Sequence, residues 1–417
     1  MMMAVACVGL AMPLVAQQIP QAELDAMHLR RDGRLMEADA LLRGLAFDAQ
    51  GKPRPGSAYH RWAELQGIMT NTPAPEIAEP GVSLSFIDKS DPGVARIASA
   101  TPRDAIATIV ERAKHTRVVI LNEDHASPRD RAFALEVARA LRPLGYDLLG
   151  AETFNHDPDP KQAAADAARL ASDGYPRRLT GYYTSDPVFG DFVRQSLALG
   201  YRPFAYETTR HDRAPTPAKR TAQREQDQAD TIVRMLKDNP TSKLFLYVGF
   251  HHAMEVPVSD GEGGRTLWMA HRLKTMTGID PLTIEQTVLN DSGSGNLALY
   301  ALVRPKVKDR PVVLFDGATP LVLDEYRGAN DLQVAHPPLR LVDGRADWIR
   351  TMGRTPTPIP AAYLPTKGRR LVQAFVASEG EDAVPIDQVL VTAGQTPPSL
   401  LLPQVPVRYA VQDAPTL

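Results

Sequence analysis

The stretch Lys243-Leu244-Phe245-Leu246-Tyr247-Val248-Gly249, followed at once by Phe250-His251-His252-Ala253, decides how the chain is read. Seven mostly apolar residues ending in glycine are too short for a core helix. They match a strand buried on both faces, as in a parallel sheet. Three more runs have the same texture: residues 117–121 (RVVIL), 146–151 (YDLLGA) and 202–206 (RPFAY). Amphipathic helical patterns lie around them, at residues 102–114 with Thr101 as the expected N-cap, then 129–141, 189–199, 218–237 and 268–277. Residues 282–288 and 297–303 read as further strands. Alternating helices and buried strands predict an α/β fold, with a mainly parallel sheet covered by helices on both faces. In such sheets ligands bind outside the carboxyl ends of the strands.

The residues just past each strand therefore carry the chemistry. After residues 117–121 come Asn122, Glu123, Asp124 and His125. After 146–151 comes Glu152, after 202–206 comes Glu207, and after 243–249 come His251 and His252. Four strands thus deliver a carboxylate or an imidazole to one predicted rim. Like charges gathered there repel, and such a cluster persists where a cation, a proton or a substrate compensates it. Arg224 and Glu225 stand near the start of the 218–237 helix, whose N-terminal end opens on the same rim. Arg224 is placed to bind a carboxylate or an oxyanion. Residues 153–186 form a polar insertion holding His156, Tyr175, Tyr182 and Tyr183, of a length suited to a lid. Its tyrosines could pack the lid or stack on a flat cofactor.

Outside this region, residues 21–45 read as a helical hairpin broken near Asp32-Gly33, 59–69 as another helix, and 71–92 as a linker. Beyond residue 305 prolines become denser and short alternating segments such as 371–376 and 407–411 appear, which predicts a small β-rich appendage. The expected division is 1–16, 17–92, 93–305 and 306–417. Residues 4–16 form an apolar run too short to span a bilayer, which reads as a secretory signal and predicts export to the periplasm. The single cysteine, Cys7, lies inside it; cleavage after Ala16 would leave no thiol for disulfides or catalysis.

With 47 Lys+Arg against 49 Asp+Glu, the net charge of -2 offers no basic surface for nucleic acid. No P-loop, dinucleotide-binding glycine motif, G-x-S-x-G elbow or H-E-x-x-H helix occurs.

A strand ending in Glu123-x-His125, a second ending in Glu152, the pair Arg224-Glu225 and a strand ending Gly249-x-x-His252-Ala253 resemble the superfamily that joins erythromycin esterases, haem-binding ChaN lipoproteins and Tiki/TraB proteins. That resemblance implies an α/β fold and three alternatives. The first is an exported hydrolase acting on a small molecule or peptide, with His125 or His252 as base, Glu123 or Glu152 orienting it and Arg224 on the oxyanion. In its metal form Glu123, His125, Glu152 and His252 would hold zinc, manganese or cobalt. The second is a haem binder using Tyr182 and Tyr183. The third is an interaction protein without catalysis. The superfamily's first motif begins with glycine, where this chain has Asn122.

Overall fold

The computed structural model describes residues 20–54, 56–70, 87, 91–154, 160–207, 216–259, 264–291 and 295–415. The apolar run 4–16 with Cys7, most of the 71–92 linker, and His156 lie outside the described residues. Among the described residues, no helix is long and apolar enough to cross a membrane.

The chain opens with α1 (Gln21–Arg31), α2 (Leu35–Ala46), α3 (Ser57–Thr70) and the short α4 (Pro92–Arg96). A mixed α/β body with a large, mostly parallel sheet comes next. Its strands are β1 (Thr101–Asp104), β2 (Val118–Glu123), β3 (Tyr146–Ala151), β4 (Arg202–Phe204) and β5 (Lys243–Gly249). After a hairpin of β6 (Val258–Ser259) and β7 (Arg265–Thr266) come β8 (Leu282–Glu285), β9 (Val312–Asp316), β10 (Thr319–Pro320) and β11 (Leu332–Ala335). The order is β1-β9-β11-β8-β2-β5-β3-β4, with β10 on β9. Strands β4, β3, β5, β2, β8 and β11 pair in parallel, and β9 runs antiparallel to its neighbours β1, β10 and β11. Every residue of β2 is buried. Burial of each such aliphatic side chain contributes about 1.5–3 kcal/mol.

The pleat sorts these side chains into two clusters. Val119, Leu121, Leu149, Phe245 and Tyr247 pack with α5 (Ala105–Ala113), α6 (Pro128–Leu141) and, across the insertion that carries α7 (Pro160–Asp173), with α8 (Pro187–Ala198). Val118, Ile120, Leu148, Leu244 and Leu246 pack with α9 (Pro217–Asp238) and α10 (Met269–Thr277). On α9 the buried Ala229, Ile232, Val233 and Leu236 form one apolar stripe. Glu225, one turn upstream of Ala229, continues that stripe and is fully buried.

Two elements differ from expectation. Residues 101–104 are a strand, Thr101 pairing with Phe315 and Asp104 with Val312; the N-cap of α5 is Asp104, whose side chain accepts the Ala107 N–H. Residues 297–303, expected as a strand, form α11 (Leu297–Val303), because the Asn296 side chain accepts the Leu299 N–H and starts a helix.

The C-terminal region carries two-stranded pairs of β12 (Leu341–Val342) with β13 (Arg345–Ala346) and β14 (Thr355–Thr357) with β17 (Leu400–Leu402). A three-stranded antiparallel sheet places β15 (Arg369–Val376) between β16 (Asp387–Thr392) and β18 (Val407–Asp413). The N-terminal helices pack on that sheet: Leu371 joins their core, and the Gln388 side chain donates to the Ile68 carbonyl at 2.8 Å. Helix α3 also lies against the turn after β2. A Cβ on Gly67 would fall 2.8 Å from the Ala126 carbonyl oxygen, so only glycine allows that approach.

Candidate active site

The register of β2 against β5 sets Glu123 beside Gly249. Glu152 follows the neighbouring β3, with its N–H on the Tyr247 carbonyl at 3.0 Å. Three adjacent strand ends thus bring together residues far apart in the chain.

His125 donates from Nδ1 to Glu123 Oε1 at 2.8 Å. Glu123 is an ionised acceptor: burial raises its pKa, but Arg131 and His125 more than offset that and hold it below the usual carboxylate range. Arg131, fully buried at the start of α6, donates from Nε to Glu123 Oε2 (2.9 Å), from Nη1 to Asp186 (2.6 Å) and from Nη2 to the His125 carbonyl (2.8 Å). One guanidinium therefore fixes both the carboxylate and the backbone of the histidine it orients. The His125 ring stacks on Tyr183, with centroids 4.0 Å apart, and meets the edge of Phe250. Burial favours its neutral form, but Glu123 and then Glu152 raise its pKa.

A second carboxylate–imidazole pair stands on the other side of Glu152. His252 Nδ1 donates to Glu225 Oε2 at 2.9 Å, and the Met269 N–H donates to the same oxygen at 2.8 Å. His252 Nε2 lies 3.6 Å from Glu152 Oε1. Burial pushes the His252 pKa down, but Glu225 and Glu152 overcome it and carry it to about 10.

Glu152 is the meeting point. It accepts the Gly249 N–H at 2.6 Å and Arg224 Nη2 at 2.5 Å. Burial works against its charge, yet His252, His125 and Arg224 hold its pKa well below normal. A Cβ on Gly249 would lie 2.8 Å from His125 Nε2 and 2.9 Å from Glu152 Oε2, so both groups converge on a position that only glycine leaves open. Phe250 comes next with φ +35°, a left-handed backbone at a non-glycine residue, and turns the chain sharply at this rim. Arg224 also binds Glu207, which accepts Gln228 Nε2 at 2.9 Å. Glu152, Glu207, Arg224, Tyr182, Tyr183 and Met27 of α1 are among the residues lining an open cleft of about 730 Å³.

Glu123, His125, Glu152, Glu207, Arg224, Glu225 and His252 thus lie in one connected cluster. Asp124 and His251 do not join them. Asp124 holds a turn, its side chain accepting the Ala126 N–H at 2.9 Å. His251 turns away to Glu325 (3.1 Å), against Trp268 and Tyr326. Asn122 is structural: its amide donates to the Phe250 carbonyl and accepts the Gln286 N–H, tying β2 to its neighbours. Arg131, Asp186, Met27 and Arg30 were not singled out from the sequence. Only Asp186, an N-cap followed by proline, carries a local signal there.

Two cofactor expectations change. Among the described residues no group of three or more His, Cys, Asp or Glu side chains is arranged to hold a metal ion. The expected zinc, manganese or cobalt set of Glu123, His125, Glu152 and His252 is instead threaded by Arg131 and Arg224, and both Nδ1 atoms are bonded to carboxylates. The tyrosines expected at haem are engaged as well: Tyr183 on His125, and Tyr182 under the Arg30 guanidinium at 3.9 Å.

No protein-family model matches the chain, and no curated protein sequence matches it. Among solved structures it is similar to RRSP, a MARTX toxin effector domain from Vibrio vulnificus, at 18% identity over 60% of this chain and 53% of that one, with a TM-score of 0.31. It is also similar to the type III effector HopBA1 (15% identity, 48% and 88% covered, TM-score 0.30). A third is the C-terminal region of Pasteurella multocida toxin, described as having a thiol-protease-like triad (12% identity, 58% and 28% covered, TM-score 0.33). The chain spans about half the length of the RRSP structure. At these identities and TM-scores the likeness assigns no activity. These neighbours are toxin effectors, not erythromycin esterases, ChaN lipoproteins or Tiki proteins. The expected membership of that superfamily is corrected on this finding, and with it the exported hydrolase, haem-binding and interaction-protein readings attached to it. The motifs behind it are short.

Proposed function

We propose that the chain is an acid–base enzyme whose proton-transferring group is His125, acting on a small molecule or peptide bound in the cleft between α1, α9 and the strand ends. Glu123 and Arg131 position His125: with Nδ1 committed to Glu123, proton exchange runs through Nε2. Its raised pKa favours the imidazolium, so it serves first as a general acid. Arg224, at the cleft, neutralises negative charge developing on the substrate. Glu152 anchors Arg224, and the Glu225–His252 pair keeps Glu152 ionised.

The observation that carries this reading is the pairing of two carboxylate-backed imidazoles across Glu152, which itself lines an open cleft with Arg224 and Tyr183, the ring that stacks on His125. A structural ion-pair network alone does not require the cleft.

The test is conversion of small-molecule and peptide libraries followed by mass spectrometry, comparing the natural chain with His125→Asn. At least one compound should be converted, about 10²–10⁴-fold more slowly by the variant, the usual contribution of a general acid. No conversion, or equal conversion by both proteins, refutes the proposal.

A further inference from the structure

A second cavity, of about 250 Å³, lies where α1, the turn around Arg178 and strands β15 and β18 meet. Its apolar lining includes Leu35, Phe375 and Val384, and three arginines face it: Arg30, Arg178 and Arg408. Arg30 is only 3% exposed. Its Nη1 donates to Glu64 at 3.1 Å, while Nε and Nη2 are buried without a hydrogen-bond partner among the described residues. Arg408 packs over the Phe375 ring and gives Nη2 to the Gly380 carbonyl at 2.9 Å, and its Nε is likewise buried without a partner among the described residues. A buried guanidinium N–H without an acceptor carries its desolvation cost uncompensated. The two carboxylates at the rim do not meet this need: the Asp32 and Glu381 side chains are 55% and 92% exposed, and Glu381 stands 3.6 Å from Arg408. The amides nearby are spent on each other, the half-buried Gln412 donating to the buried Gln373 and to the Gly33 carbonyl.

Buried guanidinium N–H groups of Arg30 and Arg408 without acceptors among the described residues, over an apolar floor, select one kind of ligand. We propose that this cavity is a binding site for a small organic anion, a carboxylate or phosphate monoester with an apolar body. The anion would accept from Arg30 and Arg408, and the body would rest against Leu35, Phe375 and Val384. This site is separate from the active-site cleft. Arg30 stands between the two, its guanidinium over Tyr182, while Met27, one turn earlier on α1, faces the cleft.

The probes are benzoate and phenyl phosphate, with inorganic phosphate as the bare anion and benzyl alcohol as the uncharged body, titrated calorimetrically into the whole chain. At least one of the two organic anions should saturate a single site. Inorganic phosphate should bind at least tenfold more weakly than phenyl phosphate, and benzyl alcohol should give no saturable signal. Arg408→Leu should weaken binding at least tenfold, and Ala410→Leu, which fills the cavity and leaves every arginine in place, should abolish it. Arg224→Gln should leave it unchanged. Arg30→Met should behave as Arg408→Leu; if that variant does not fold, the half-buried positions 408 and 410 decide alone. Absence of saturation, equal binding by Arg408→Leu or Ala410→Leu, or loss on Arg224→Gln instead, overturns the assignment.

Discussion

Replacing Glu225 by Gln tests the electrostatics of the site at a deeply buried pair. The change removes one charge and almost no volume. In the natural chain His252 is 8% exposed and Glu225 0%, and the His252 pKa stands at about 10 against 6.5 for an ordinary histidine. Burial opposes that rise; Glu225 first, and Glu152 after it, produce it. At 1.36 kcal/mol per pKa unit the shift corresponds to about 5 kcal/mol of stability in favour of the protonated ring. The direction with pH comes from linkage. Folded His252 keeps its proton to about pH 10, whereas the unfolded chain releases it near 6.5. The contribution is therefore whole below pH 6.5, declines above that, and is gone once the pH passes 10. Glu225→Gln should cost about 3–5 kcal/mol at pH 6, the range for breaking a buried ion pair. The gap to the natural chain should at least halve by pH 10, because the natural chain is losing the same term. Paired urea-unfolding curves from pH 6 to pH 10 read the gap, and background titrations common to both proteins cancel. Histidine-selective NMR reads the His252 ring directly. A His252 pKa near 6.5 in the natural chain, or a gap that stays constant with pH, would refute the reasoning.

Three further outcomes are expected. Gly249→Ala keeps a φ of −80° that alanine accepts, but places a methyl 2.7 Å from the His125 ring; turnover should fall about 100-fold from the displaced imidazole, and unchanged turnover counts against His125 as the acid. Arg131→Met leaves Glu123 and Asp186 buried without their shared cation and should lose about 3–5 kcal/mol in urea unfolding; Arg131→Lys should recover less than half, since one ammonium cannot reach three acceptors in the guanidinium geometry. Glu123→Gln removes the negative charge that helps raise the His125 pKa, so the imidazolium should be lost at lower pH and the alkaline limb of the rate profile should move down; an unmoved His125 titration by NMR contradicts that.

The sheet was legible because β2, β3 and β5 are continuous apolar runs bounded by polar turns, a pattern that local composition alone produces. The errors fell where the deciding interaction is a single side chain or lies far along the chain. Leu297–Val303 is as apolar as a strand, and one capping bond from Asn296 makes it helical. Residues 101–104 follow helix-like periodicity, but their pairing with β9 crosses more than two hundred residues. The same division separates His252 from His251. Adjacent in sequence, they face opposite environments because Phe250, at φ +35°, turns the chain between the strand and the pair.

The site divides in the same way. A parallel sheet places all its strand ends at one edge, so Glu123, Glu152 and Glu207 could be gathered from the sequence without knowing any contact. Of the groups that compensate their charge, Arg224 could be placed at the rim from the start of its helix, but Arg131 could not: it becomes a partner of Glu123 and Asp186 only through the approach of α6 to the sheet. Gathered carboxylates raised the expectation of a metal; two guanidiniums and the His252 imidazolium supply positive charge instead, and the pKa of His125 is raised in the same direction. The chemistry shifts accordingly. Carboxylates held this way are ionised and committed, which makes them poor bases, whereas the imidazoles between them are biased towards their acidic form and one of them, His125, has no hydrogen bond on Nε2 among the described residues, at the point where the chain can tolerate no side chain but glycine. Loss of the positive partners should therefore damage the acid function before it damages the fold at Arg224, which is partly exposed, and in the opposite order at Arg131, which is fully buried.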